Sequence, residues 1–255
     1  MRQGAPLRLG FLMFPGFPMA CLTSAIEPLR AANEITGERH FEWLLLAEQA
    51  AAVRSPADVT FQPDSALAEG GDVDHPSLLS PPTGQFADPR HSPAQLRWLD
   101  RTGAMLGAFS GGIFPLARAG QMQGYGCSAH WCYEADFKAE FPKVTASEAV
   151  ILREGRRTTV SGAAAVFDLM LKLIEERLRR PCMTEVDCWF QHPFLREEDA
   201  RQKVPPAMGG GTADAPPAAI RAAIALFEGH MEDPLQIPDM GGPADMSVRH
   251  FERLL

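Results

Sequence analysis

The residues with the most chemical promise lie in LGAFSGGIFPLARAG, residues 106–120. An apolar run reaches Ser110, meets Gly111 and Gly112, and continues in a helical pattern. A strand that turns sharply into a helix lifts the side chain at the turn to the carboxyl edge of a sheet. The amide groups there favour anions, and small residues permit the tight bend. A serine so placed has three readings: a nucleophile if a base takes its proton, a hydrogen-bonding contact in a pocket, or a structural turn residue. Farther along, Ser128-Ala129-His130-Trp131 supplies an imidazole and an aromatic face. Upstream, Glu27 stands in an otherwise apolar helical stretch. A carboxylate buried there needs a partner, and a hydroxyl at 110 would be one. An aromatic face beside a carboxylate suits a cationic or quaternary amine.

These residues need elements to position them. LRLGFLMF (7–14) is a dense apolar run ended by Pro-Gly, as expected of a buried parallel strand. ACLTSAIEPLRAAN follows with a helical period that Pro28 should kink or locally break. FEWLLLAEQ (41–49) is the next strand, and β-α-β order opens an α/β fold. Residues 54–93 read mainly as loop, with a strand and turn in VTFQPDSALAE and a short strand near Leu78–Leu79. AQLRWLDRTG predicts a helix, and AMLGAFS the strand that feeds Ser110. Pro115 must then sit in the first turn of the following helix. SAHWCYEADFKAEFP predicts another helix, and AVILREG with RTTVSG a hairpin. In AAAVFDLMLKLIEERLRR, Val166, Leu169, Met170, Leu173 and Ile174 form one apolar face. MTEVDCWFQHPFLR reads as a further helix.

Composition shifts near residue 199: EEDARQKVPPAMGGGTADAPP is charged, then rich in Gly, Pro and Ala, and has no apolar period. It reads as a linker over 199–215, separating an α/β domain (1–198) from a helical piece (216–255) that ends on a helix opened by Ser247. That last helix is barely two turns long, so the sequence is expected to be truncated inside this module. In this piece three arginines (Arg221, Arg249, Arg253) face six acids, a balance of −3. A DNA-reading surface normally presents a basic face, so this fragment is a poor DNA binder by itself.

With 45% hydrophobic and 22% charged residues among 255, the chain can bury a full core. The net charge of −8 argues against nonspecific nucleic-acid binding by the chain as a whole. No window holds 18 uninterrupted apolar residues, so no membrane span is expected. Five scattered cysteines (Cys21, Cys127, Cys132, Cys182, Cys188) match neither a disulfide framework nor zinc-ribbon spacing. A cytoplasmic protein without metal or other cofactor is expected.

GAFSGGIFPLARAGQMQGYGCSAHW resembles the elbow segment of the GlxA-type transcriptional regulators of the AraC/XylS family. FLMFPGFPMACLTSAIEPLRAANEITG is similar to their opening strand and helix, TTVSGAAAVFDLMLKLI to their late turn and helix, and PLQIPDMGGPADMSVRHFERLL to the start of their first helix-turn-helix. The resemblance implies a parallel-sheet α/β sandwich of the class I glutamine amidotransferase-like, flavodoxin-like kind (a PfpI-like sensor domain), followed by an incomplete all-α helix-turn-helix region. It implies a transcriptional regulator rather than an enzyme, whose sensor takes a small nitrogenous effector, an amino acid or quaternary amine. The ligand-binding residues would be Glu27, Gly84, Ser110, Gly111, His130 and Trp131, and the DNA-binding residues Ser247, Arg249, His250 and Arg253. A homodimer is implied as well.

PfpI-like enzymes usually carry cysteine at the elbow, and the chain has serine there. Their Gly-Gly oxyanion turn is replaced by SPPTGQ, in which Pro81 and Pro82 lack an N–H and only Thr83 and Gly84 could donate. Both departures weaken the competing reading, a PfpI-like hydrolase, amidase or hydratase using Ser110 with His130 as base.

Overall fold

A computed structural model describes residues 5–193, 195–196 and 200–205. The helical piece 216–255, with Ser247, Arg249, His250 and Arg253, lies outside the described residues, as does the linker beyond residue 205. The first compact unit of the chain ends at Gln202.

Among the described residues a seven-stranded sheet and its helices build the frame. The chain opens with β1 (Leu7–Met13), α1 (Met19–Thr36), β2 (Phe41–Ala47), a separate two-stranded ribbon of β3 (Val53–Arg54) and β4 (Thr60–Phe61), and the short edge strand β5 (Ser65–Ala66). Then come β6 (His75–Leu79), α2 (His91–Arg101), β7 (Leu106–Phe109), a 3-10 turn at Ser110–Gly112, and α3 (Ile113–Arg118). The chain continues through β8 (Cys127–Ser128), α4 (Glu134–Glu140), β9 (Ala146–Ser147), the hairpin β10 (Ile151–Glu154) and β11 (Arg157–Val160), and α5 (Ala163–Trp189). The main sheet runs β10-β11-β7-β6-β1-β2-β5. Every neighbouring pair is parallel except β10 with β11. The expected parallel-sheet sandwich is what forms.

The sheet is buried on both faces because its strands carry apolar side chains at successive positions. Leu9, Phe11 and Met13 of β1 pack toward α1 and α5, together with Leu22, Leu29, Val166 and Ile174. Leu12, with Leu78, Leu106 and Ala108, packs on the other side against Leu96, Leu116 and Phe137 of α2, α3 and α4. The face expected of α5, from Val166 to Ile174, is buried throughout.

Three local expectations are revised. Of the kink or break expected at Pro28, the break does not occur: α1 runs on to Thr36 with the proline buried in its core face. The SAHW stretch is not helical: α4 begins only at Glu134, after a turn in which the Tyr133 N–H donates to the His130 carbonyl at 2.8 Å. The two helices expected before the linker form α5 around a break at Arg179, whose φ of 72° and ψ of 168° are not helical.

After α5 the chain is tied back by a buried charge. Asp168 is fully buried, and its carboxylate accepts a 2.6 Å hydrogen bond from Arg196 Nε. His192 Nε2 stands 3.3 Å from the same carboxylate, with its ring stacked on Phe167 at 4.9 Å. Removing one member of a buried ion pair leaves the other uncompensated. Asp168→Ala is therefore expected to cost about 3 kcal/mol, a fall of roughly 9 °C in melting temperature for a domain of this size. Calorimetry of the variant beside the parent checks it, and a change within 2 °C or so would show the clamp to be dispensable.

Candidate ligand site at the strand-to-helix elbow

Strand β7 is wholly buried and delivers Ser110 to the carboxyl edge of the sheet. Ser110 sits at φ 52°, in the left-handed region, where a residue bearing a β-carbon is disfavoured by about 1–2 kcal/mol. Packing explains why it is held there. A β-carbon added to Gly112 would stand 2.0 Å from the Leu78 carbonyl oxygen, and one on Gly111 would stand 2.5 Å from the Ser80 carbonyl oxygen. The chain leaving β6 thus lies directly against the backbone of the elbow, and only glycine fits at 111 and 112.

The β6 exit is fixed by its own contacts. Gly84 N–H donates to the Pro81 carbonyl at 3.0 Å and closes a turn. Arg118 Nη1 donates to the carbonyls of Pro82 and Gly84 at 2.9 and 2.8 Å. The same guanidinium pairs with Glu140 at 2.7 and 2.8 Å, which holds that carboxyl below its usual range. Gly84 therefore spends its amide on the turn, so of the two expected donors only Thr83 stays open to an incoming oxygen.

Opposite the elbow lies the turn His130–Tyr133. The His130 ring is half-buried and tilted against Trp131 at 5.5 Å and Tyr133 at 5.3 Å. Its Nδ1 accepts the Cys132 backbone N–H at 3.3 Å and stands 3.0 Å from Cys132 Sγ. An accepting Nδ1 puts the proton of the neutral ring on Nε2. Desolvation lowers the pKa of His130 from its ordinary 6.5, so the ring is neutral at neutral pH. Tyr133 faces both Cys132 and Ser110: burial raises its pKa first and the Cys132 thiol adds to this, while the Ser110 hydroxyl acts in the opposite direction. Cys21, in the first turns of α1, lies close enough to add a small push in the same direction as burial. Burial pushes the Cys21 thiol up to about 12 and raises Cys132 as well, so both stay protonated.

Ser110 is thus linked through Tyr133 to His130, Cys132 and Cys21, and Trp131 stands against His130; Tyr133, Cys132 and Cys21 are three residues the sequence reading had not placed there. Glu27 is elsewhere. Its carboxylate is half-exposed and held by Arg30, with Nε and Nη2 each at 3.0 Å. The helical period explains the difference. Cys21, Ala25, Pro28 and Leu29 form the buried stripe of α1, and Glu27 falls outside it. Among the described residues no three His, Cys, Asp or Glu side chains converge on a common point. No helix among them is long and apolar enough to cross a membrane.

Fold and elbow together define the class: an α/β sandwich of the DJ-1/PfpI kind. A ThiJ/PfpI family protein from Pseudomonas syringae superposes with a TM-score of 0.65 at 18% identity, over 94% of this chain and 91% of its own. An AraC family transcriptional regulator from Pseudomonas putida superposes with a TM-score of 0.64 at 22% identity, over 72% of this chain and all of its own. No protein-family model matches the chain. Curated relatives are closer in sequence. The HTH-type transcriptional regulator GbdR of Pseudomonas aeruginosa is 30% identical over 249 residues, covering 98% of this chain and 67% of that regulator. The HTH-type transcriptional regulator GlxA of Rhizobium meliloti is 31% identical over 249 residues, covering 97% of this chain and 76% of its own. The chain belongs to the GlxA-like HTH-type transcriptional regulators of the AraC family, built on a PfpI-like domain.

The lowered His130 pKa sets a pH dependence. Unfolding returns the ring to 6.5, so below that value the unfolded chain binds the proton first and stability falls. His75, whose pKa burial also lowers, contributes in the same direction. Stability should therefore be level above about pH 7 and decline as pH drops through 6.5. His130→Gln should make the decline shallower without abolishing it, since His75 remains. Melting temperatures of both proteins between pH 5 and 8 or so check this; parallel curves would mean that His130 is not desolvated.

Proposed function

We propose that the α/β domain is the sensor of this regulator and binds a small nitrogenous metabolite, an amino acid or quaternary amine, beside Ser110, Gly111, His130 and Trp131. One observation carries the reading. Ser110 is held in the left-handed region, yet the side chain that lies near its hydroxyl is the Tyr133 phenol, whose pKa burial raises. A phenol that holds its proton is no base for a serine, and His130 turns its accepting nitrogen toward Cys132. The arrangement supports hydrogen bonding to a ligand and not nucleophilic attack, in keeping with a regulator that is not an enzyme.

A cationic head is favoured because His130, Trp131 and Tyr133 present adjacent ring faces. With Glu27 paired to Arg30, charge recognition rests on those faces and on Ser110. The ligand's acceptor atoms would meet the elbow amides and Thr83. Binding in the 1–198 domain would then bias DNA binding by the 216–255 module through the linker 199–215, with Ser247, Arg249, His250 and Arg253 toward the DNA, in a cytoplasmic homodimer.

The test is a thermal-shift series with glycine betaine, carnitine, L-arginine and putrescine. A true effector at about 100 times its dissociation constant adds roughly 2.7 kcal/mol, several degrees in melting temperature. The shift should saturate, vanish in Trp131→Ala, and survive in Ser110→Ala with affinity weakened roughly tenfold or less, the loss of about one hydrogen bond. Absence of any shift across the series would remove the small-amine reading.

A further inference from the structure

Beyond α5 the chain comes back to the site before it leaves the domain. The Ala200 carbonyl accepts from Val150 N–H at 2.7 Å, and Gln202 N–H donates to the Glu148 carbonyl at 2.9 Å. Ala149 and Arg201 form an antiparallel bridge between these two bonds. The Gln202 side chain then crosses to the turn that carries His130. Its Oε1 accepts the Trp131 N–H at 2.8 Å, and its Nε2 donates to the Ala129 carbonyl at 2.7 Å. One amide thus brackets His130 from both sides in sequence. Because N–H faces oxygen at one end and carbonyl faces nitrogen at the other, the amide has one satisfied orientation. The compact unit ends at this same residue.

We propose that Gln202 is the relay between the pocket and the chain that follows it. The inference rests on the sensor reading above and assigns its regulation. An occupant that shifts His130 and Trp131 must stretch or exchange the two side-chain bonds of Gln202. Since the main chain of Gln202 is itself hung on Glu148, the path taken after residue 202 changes with the bracket. The coupling is reciprocal: whatever fixes residues 200–202 also fixes the wall of the pocket.

The experiment uses the full chain with Cys188→Ser as background, and compares Gln202, Gln202→Ala and Gln202→Glu. The glutamate keeps an acceptor for Trp131 and loses the donor to Ala129. Cys132, exposed beside His130, provides both a reporter and an attachment point. In the first readout, N-ethylmaleimide labels Cys132, followed by mass spectrometry. Loss of the bracket should raise the rate roughly fivefold in the alanine variant and less in the glutamate. In the second, the Cys132 adduct of N-phenylmaleimide serves as the occupant, and hydrogen exchange is read over residues 129–131 and 200–203. With Gln202 present, the adduct should change exchange in both segments. In Gln202→Ala the change should be confined to 129–131. An unaltered labelling rate, or a response at 200–203 of equal size without the glutamine, overturns the relay. Neither readout uses a metabolite, so a relay that fails while an amine still shifts the melting temperature is separable from a relay that works while no amine binds.

Discussion

Leu78 and Gly112 approach so closely that a single β-carbon would stand 2.0 Å from a carbonyl oxygen. Much of the site's geometry follows from that contact. It presses the end of β6 onto the elbow after β7, and it leaves Ser110 in the left-handed region although serine gains nothing there by itself. The strain is held by neighbours that have little freedom to relax. Pro81 and Pro82 restrict the backbone on one side, and Arg118 fastens the Pro82 and Gly84 carbonyls on the other. The result is an elbow whose backbone is held in place from both sides, the kind of preorganisation that limits the ordering cost of recognition.

What the groups around the elbow can do depends on protonation. Three of them, Cys21, Cys132 and Tyr133, hold their protons because burial disfavours the charged form. The same cause keeps His130 neutral. Neutral thiols offer no thiolate, and the accepting nitrogen of His130, although unprotonated, is turned to Cys132 and not to a hydroxyl. The site does keep hydrogen-bond donors and acceptors and three ring faces. The acidic balance of the chain as a whole, −8, raises the local concentration of cations without placing a carboxylate inside.

Much of this was legible in the sequence, for a physical reason in each case. Strand β1 is apolar almost throughout because both faces are covered, and Ser110-Gly111-Gly112 is small because the backbone of β6 passes there. The stripe on α5 from Val166 to Ile174 follows the helical period and is buried as expected. Glu27 was legible too, but by its period rather than by its likeness to an acidic motif. It lies off the stripe of Cys21, Ala25 and Leu29, so it could not face the core and turned to Arg30 instead. Pro28 gave a false break because one missing donor costs less than giving up the burial of that face in tertiary context. His130 and Cys132 meet across a turn that has no period, and nothing in their spacing announces the contact.

The segment 200–202 was illegible for a different reason. It lies in a charged stretch that reads as linker, yet it is held by main-chain bonds to residues 148–150, and such bonds leave no pattern in side-chain type. This placement has a consequence for how a regulator of this build transmits a signal. Asp168 draws Arg196 and His192 onto α5, and the chain then reaches the turn bearing His130 within a few residues. The outgoing chain is bonded to the turn that carries His130, so a link between that turn and residue 202 needs no long path through the core. A coupling free energy of 1–3 kcal/mol, typical for linked sites, is within the range of two exchanged hydrogen bonds of about 1 kcal/mol each. On the proposed relay, a displacement of the half-buried imidazole would reach residue 202 through those two bonds.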